Sequence, residues 1–216
     1  AKSANLKEEA GTNAYILGNL YVELNNYEKA IELFLKSVDY AKERNDSLQI
    51  ANINNRIGYV YRSISSYDKA LEYYLNALKI RKDRNDKEGM AISYNSIGNI
   101  HERLKNYDKA LEYYNKTLDL YKEMGMKDEM AIVYNNLGII YENKKKKDTA
   151  LKYYQKSYYI DKNANDTIGM SSSLNNIGLL YHEKNDHEKA LKFLNRSLKY
   201  SNLKNDEYSI ANTQNN

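Results

Sequence analysis

Cysteine, proline and tryptophan are absent from the 216 residues, and phenylalanine occurs only twice. Without cysteine there is no disulfide scaffold, no thiolate metal site and no cysteine nucleophile. Their absence leaves the compartment open, since secreted helical proteins can also lack cysteine. Without proline there are no proline-rich linkers, and long helices can run uninterrupted. An excess of charge of one sign is missing as well. The 33 basic residues nearly balance 29 acidic ones, giving a net charge of +4 and no reason to expect nucleic acid or an anionic membrane as partner. The opening AKSANLKEEA has no apolar segment of the kind a signal peptide carries. No apolar run approaches the roughly 18 residues of a spanning helix, so no membrane insertion is expected in this segment. What the chain does have is a 42% hydrophobic content, enough for a core, and 23 tyrosines.

Internal repetition governs everything else. Gly18, Gly58, Gly98, Gly138 and Gly178 stand 40 residues apart. Twelve residues after each comes Ala30, Ala70, Ala110, Ala150 or Ala190. Leu17, Ile57, Ile97, Leu137 and Ile177 precede the glycines. Three residues after them come Tyr21, Tyr61, His101, Tyr141 and Tyr181, and sixteen after come Phe34, Tyr74, Tyr114, Tyr154 and Leu194. The chain therefore reads as a single array over 1–216, with repeats at about 6–45, 46–85, 86–125, 126–165 and 166–205 and a partial sixth at 206–216.

Each repeat predicts two helices. Ile50, Ile53, Ile57, Tyr61 and Ile64 recur at helical spacing, and after a break at 65–68 so do Ala70, Leu71, Tyr74, Leu78 and Arg81. Ser65 with Asp68, Asn25 with Glu28 and Asn185 with Glu188 have the spacing of a capping box. Asn45-Asp46, Asn85-Asp86, Asn165-Asp166 and Asn205-Asp206 mark turns between repeats, asparagine taking the left-handed position and aspartate capping the next helix. Gly125 takes the asparagine's place in the third repeat. A glycine inside a helix costs about 1 kcal/mol relative to alanine. Five at one phase imply a compensating close approach, expected between each glycine and the alanine of the second helix.

The sequence of an apolar residue and glycine, tyrosine three later, alanine at plus twelve and an aromatic at plus sixteen resembles the tetratricopeptide repeat (TPR). Segments 91–98 and 108–114 carry the pattern most closely, and the likeness covers essentially the whole chain. The period is 40 rather than 34, and Lys42, Lys82, Lys122, Lys162 and Asn202 replace the family's proline. Both features resemble the longer-helix subgroup, which includes kinesin-light-chain-like arrays and bacterial peptide receptors. The resemblance implies an all-α fold, a right-handed α-solenoid of helix-turn-helix repeats. It also implies a non-catalytic scaffold that takes a peptide or protein segment in its concave groove. A rival reading is a sensory or regulatory module of a larger signalling protein, fused to a kinase or a transcriptional regulator.

The asparagines point to where binding occurs. At about 100° per residue, offsets of −6, −3, −2, +1, +4 and +5 from each glycine share one arc beside the core stripe. In the TPR family that arc lines the groove. It holds Asn19, Asn52, Asn55, Arg56, Tyr59, Arg62, Asn95, Asn99, Glu102, Arg103, Asn135, Asn136, Ile139, Glu142, Asn175, Asn176, Leu179 and His182, with Asn215 in the partial repeat. A side-chain amide donates and accepts, so it can pair with an extended peptide's backbone whatever its sequence. The alternative is that the amides bond between neighbouring helices. The family's clamp for a terminal carboxylate is only partly present. Asn99 and Asn136 match its asparagines, but Asn95, Ser172 and Asn176 stand where it has cations.

Nothing implies an enzyme, a metal or another cofactor. His182 and His187 are five residues apart across a turn signal, the wrong spacing for one metal-binding helix face. No serine or threonine sits in a nucleophile-elbow sequence. Lys144-Lys145-Lys146-Lys147 reads either as a solvated turn or as an anionic docking patch. The tyrosines share repeat phases and read as packing residues. The sequence stops within a repeat, two residues before the next glycine would fall. The parent chain is therefore expected to continue, and the cut helix offers a surface for self-association.

Overall fold

The computed structural model describes the backbone of residues 2–214 and the side chains of residues 6–202. It is all-α, with no strand among the described residues. The chain divides into two compact units, Ala1–Asn106 and Tyr107–Asn216. The first holds α1 (Lys2–Glu23), α2 (Tyr27–Glu43), α3 (Ser47–Ser63), α4 (Tyr67–Asp83) and α5 (Lys87–Arg103). The second holds α6 (Tyr107–Met124), α7 (Met130–Asn143), α8 (Lys147–Asn163), α9 (Thr167–Glu183) and α10 (His187–Gln214). Most helices have 17 residues, about 25 Å at the standard rise. Consecutive helices pack on each other within each unit.

The turns explain the helix lengths. Asn45, Asn85 and Asn165 have left-handed φ of 56°, 52° and 55°, and Gly125 takes the same place at 72°. The next residue's N–H reaches back five positions, as in Asp46 N–H to Ala41 O at 2.9 Å, which closes the helix with a Schellman bond. Asp46 and Asp86 then cap the following helix by accepting from the N–H of Gln49 and Gly89. The turns inside the repeats use the same geometry, which corrects the capping-box reading by one residue. Asn25, Ser65 and Asn185 are the left-handed residues at 57°, 59° and 59°. Asn26 and Asp186 do the side-chain capping, while Ser66 occupies the cap position without a side-chain bond. The predicted turn at Asn205-Asp206 does not form: α10 is helical through both residues. Asparagine and aspartate cost a helix interior only about 0.7 kcal/mol each, so the pair alone does not stop a helix. The side chains of the partial sixth repeat, including Asn215, lie outside the described residues, as does the terminal surface expected to self-associate.

The glycines admit rings rather than alanines. A methyl group at Gly18 would lie 2.6 Å from Phe34 Cε1, one at Gly58 2.8 Å from Tyr74 Cε1, and one at Gly178 2.7 Å from Leu194 Cγ. At Gly138 it would collide with the ring of Tyr154. The residue at plus sixteen thus seats its side chain in the notch of its own repeat's first helix. Phe34, Tyr74 and Tyr154 are buried there. In the first unit Ala30, Phe34, Val38, Ile53, Ile57 and Val60 form one core. In the second, Ala150, Tyr154, Ile177 and Leu180 form one and Tyr158, Met170 and Leu174 another. The plus-three tyrosines stack on the second helix: Tyr61 on Tyr73 at 5.5 Å, Tyr141 on Tyr153 at 5.2 Å, and Tyr181 on Phe193 at 5.5 Å between centroids. Lys29, Lys69 and Lys189 lie over Tyr21, Tyr61 and Tyr181.

Ion pairs join like turns of successive repeats. Lys144 reaches Asp108 at 2.6 Å, Lys147 reaches Glu183 at 3.1 Å and Lys184 reaches Asp148 at 2.7 Å. Two of the four lysines in the 144–147 run are therefore engaged by carboxylates of neighbouring repeats. Exposed pairs of this kind contribute about 0–1 kcal/mol each.

One buried charge interrupts the second unit's core. Asp161 is 6% exposed and accepts from Ser157 and Ser173 at 3.3 Å each. Gly169 leaves room for it, since a methyl there would run into the carboxyl group. Burial, with Asp166 nearby, pushes the Asp161 carboxyl up to about 6.

Gly138→Ala is expected to destabilise the protein by about 1–3 kcal/mol through overpacking against Tyr154, outweighing alanine's helix preference; the urea midpoint measures this. For Asp161 the native state holds a proton that the unfolded state releases, so stability falls as pH rises from about 4 through 6. Asp161→Asn removes that loss. Its urea midpoint should exceed the wild type's by more at pH 7.5 than at pH 4, and a constant difference would remove Asp161 as the source.

Candidate functional site

The arc predicted from the first helices is half-buried or exposed, as a binding face must be. In the first unit, Asn52 and Tyr59 are exposed, while Asn19, Asn55, Arg56, Arg62, Asn95, Asn99 and Glu102 are half-buried and Arg103 is exposed. Asn52, Asn55, Arg56, Tyr59 and Arg62 line one pocket of about 470 Å³. Tyr15 from α1, Tyr74 and Arg81 from α4, and Ser96 from α5 contribute to the same wall. The pocket is therefore built on α3, with a helix on either side of it in the first-helix row.

Its polar groups are partly committed. Arg56 Nε donates to Asn19 Oδ1 at 2.7 Å, and a second guanidinium N–H of Arg56 donates to the same oxygen. Asn19 Nδ2 in turn donates to Tyr15 O at 3.0 Å. Tyr59 lies between two cations, 4.9 Å from Arg62 and 5.7 Å from Arg56. Arg81 is 3% exposed and holds Asn52 through Nη2 at 2.8 Å, Gly89 O through Nη1 at 2.6 Å and Ser93 Oγ through Nη1 at 3.0 Å. Its only ion pair among the described residues is with Asp86, at 3.7 Å. Burial lowers the guanidinium's pKa, and Asp86 opposes that. Burial also pushes the Tyr74 hydroxyl up to about 12, although Arg62, Ser96 and Arg56 pull it down. Tyr74 is thus a neutral donor at physiological pH. The carboxyl of Glu102 is raised by burial, against the pull of Arg103 and Arg62. Asn55 Oδ1 is buried and has no hydrogen-bond partner among the described residues.

In the second unit, Asn135, Asn136, Glu142 and Asn176 are half-buried, and Asn175 and His182 are exposed. Asn176 Nδ2 donates to Asn135 Oδ1 at 2.9 Å, bridging α9 to α7. Glu142 accepts from the Tyr154 hydroxyl at 2.5 Å. Asn135 also lines a pocket of about 260 Å³ with Ser157, Asp161 and Ser173. Asn175 lines another of about 440 Å³ with Ser171, Ser172, Ser197 and Tyr200. The turn between His182 and His187 brings their rings to 5.3 Å, closer than helix geometry alone predicts. Among the described residues no group of three or more His, Asp or Glu side chains is placed to hold a metal ion. No described helix is long and apolar enough to cross a membrane.

Helical phase puts Arg81 on the core stripe, and the site expected from sequence leaves out Arg81, Tyr15 and Tyr74. A signal was present. Ala41, Arg81, Tyr121, Asp161 and Ser201 share one repeat phase, so the two charged residues depart from it. Gly89 and Gly169 follow them by eight residues, outside the main glycine phase. A methyl at Gly89 would lie 2.6 Å from Arg81 Cδ and Nε. Gly89 and Gly169 thus each mark a buried charge on the preceding helix.

The fold is shared with solved structures. BtubC (BKLC) from P. vanneervenii superposes with a TM-score of 0.77 at 22% identity, over 94% of this chain and 91% of that one. Aspartyl phosphate phosphatase F from Bacillus subtilis gives 0.86 at 15% identity, over 94% of this chain and 54% of that one. The Rap conjugation gene regulator of the plasmid pLS20, solved in complex with the Phr* peptide, gives 0.76 at 17% identity, over 89% and 53%. The chain spans about half the length of the latter two. No curated protein matches it. Tetratricopeptide repeat models match residues 13–44, 49–123 and 129–202. With that coverage and its all-α helix-pair architecture, the chain belongs to the tetratricopeptide repeat family.

Proposed function

We propose that the protein is a non-catalytic interaction scaffold that binds an extended peptide or protein segment along the groove side of its first helices. The observation that carries this reading is the convergence of Asn52, Asn55, Arg56, Tyr59 and Arg62 on one pocket of about 470 Å³. The same five residues lie on the arc that helical phase, together with the TPR resemblance, assigns to the groove. Amides and guanidinium groups at this density hydrogen-bond a peptide backbone without demanding one side-chain sequence. An aromatic ring among them supplies apolar contact. Some of the amides also serve the array itself, as the Asn176–Asn135 and Arg56–Asn19 bonds illustrate. That use holds the side chains in place and lowers the entropy lost when a ligand is bound.

A second reading, a regulatory module within a larger signalling protein, draws support from the pLS20 neighbour. That protein is a conjugation gene regulator and was solved with a peptide. In such a module peptide binding is the input, so the two readings share a site.

Capture of arrayed, end-blocked extended peptides by the full chain tests the proposal. An Asn95→Ala/Asn135→Ala/Asn175→Ala variant with unchanged helicity should bind the captured peptides at least about tenfold more weakly, given roughly 0.5–1.5 kcal/mol per hydrogen bond. Equal capture by both proteins would move the site off the first helices and leave the asparagines a structural role.

A further inference from the structure

The pocket on α3 is selective in its electrostatics. Three arginines line it, Arg56, Arg62 and Arg81, and no aspartate or glutamate does. Among the described residues, neither Arg56 nor Arg62 makes an ion pair, and their contacts are to neutral groups, Asn19 and the face of Tyr59. Arg81 has neutral acceptors at close range and one carboxylate at 3.7 Å. Glu102 acts on Arg62 from a distance, and burial disfavours its charged form. Like charges gathered without matching counter-charge repel one another, and an entering anion relieves that repulsion in a partly desolvated site. Guanidinium groups also present paired N–H donors that match a carboxylate.

A second group defines the ligand further. Asn55 Oδ1 lies buried in the same pocket as an acceptor with no donor among the described residues. A buried acceptor left unpaired is unfavourable, so it calls for an N–H. One residue of a peptide carries both requirements: an acidic side chain and, a few ångströms away, its own backbone N–H. Within the first unit the amides extend to either side of α3, with Asn19 on α1 and Asn95 and Asn99 on α5. A chain passing through the pocket meets amides before and after it, whereas a chain terminus would leave one side unused.

We propose that the α3 pocket selects an internal aspartate or glutamate of the bound segment, its carboxylate held by Arg56 and Arg62 and its backbone N–H by Asn55. Arg81 acts behind them as a positioning residue, holding Asn52 and adding fixed positive charge. This rests on the peptide-binding reading above and names what that site would read.

The test uses the full chain and pairs of fluorescein-labelled heptapeptides, N-acetylated and C-amidated except for the label. The pairs are taken from peptides captured on the array and differ only by Glu or Gln at one internal position. At one internal position the Glu member should bind about tenfold or more tightly than the Gln member, with the preference shrinking as salt is raised. Arg56→Gln/Arg62→Gln should abolish the preference, weakening the Glu peptide about tenfold more than the Gln peptide, with helicity unchanged. Asn55→Leu should weaken both peptides. Equal binding of every Glu and Gln pair overturns the pocket assignment and leaves the groove reading standing. A preference that survives Arg56→Gln/Arg62→Gln overturns it equally. A matched Gln peptide with a free C-terminal carboxyl that binds as tightly as the amidated Glu peptide overturns the choice of an internal acidic side chain. Capture of no peptide at all overturns both proposals.

Discussion

The spacing of the two helices in a repeat is limited by one contact, a ring or branched side chain from the second helix seated in a notch made by a glycine of the first. Phe34, Tyr74, Tyr154 and Leu194 each occupy such a notch, and any side chain at the facing glycine would collide with them. The notch fixes which face of each helix points inward, because a helix has only one azimuth at which the ring can enter. With that face set, the residues at −3, −2, +1 and +4 from the glycine lie to one side of the contact by helical geometry alone. The row of amides and arginines on the first helices is therefore a consequence of the core packing.

Most of this was legible in the sequence because a repeat shows the same signal several times. A lone glycine in an apolar segment has many readings, whereas five at a 40-residue interval with an aromatic at plus sixteen have few. The turns were legible for the same reason, down to Gly125 standing in for asparagine with φ of 72°. What misled was local. Capping boxes at 25–28, 65–68 and 185–188 were read one residue early, because Asn and Ser suit both a left-handed turn and an N-cap, and two such residues stand side by side at 25–26 and 65–66. The partner of the glycines was also misassigned. Spacing located alanine and ring alike, but only coordinates distinguish which atom fills the notch. At 205–206 the period itself misled, since α10 passes through the expected turn.

Arg81 and Asp161 were hidden for another reason. Helical phase places both on the buried stripe, where a charged residue looks like an interruption of the core rather than part of it. Each is tolerated because most of its polar atoms find partners, Arg81 Nε excepted, and because a glycine eight residues later opens space. Burying a charge with incomplete compensation is unfavourable for folding. Such residues are poor candidates for stabilisers, and their environments differ accordingly. Arg81 remains charged under all ordinary conditions, whereas burial brings Asp161 to about 6. The first unit thus carries a permanent buried cation and the second a carboxyl that ionises near neutrality.

A surface that repeated perfectly would offer each ligand residue the same contacts and could not hold one register over another. Register must come from the places where repeats differ. The −2 position holds Ile16, Arg56, Ser96, Asn136 and Asn176 in the five repeats, and the +1 position holds Asn19, Tyr59, Asn99, Ile139 and Leu179. Only the second repeat places a guanidinium and an aromatic ring at these two positions, and both line its pocket. Amides elsewhere can grip any backbone, which supplies affinity without sequence preference. If the proposed site is right, the arginines at one repeat, backed by a buried third, supply a contact that depends on charge and fixes the register of an otherwise sliding segment. In the proposed reading the amides hold the segment, and the repeat that carries the arginines sets which of its residues stops there.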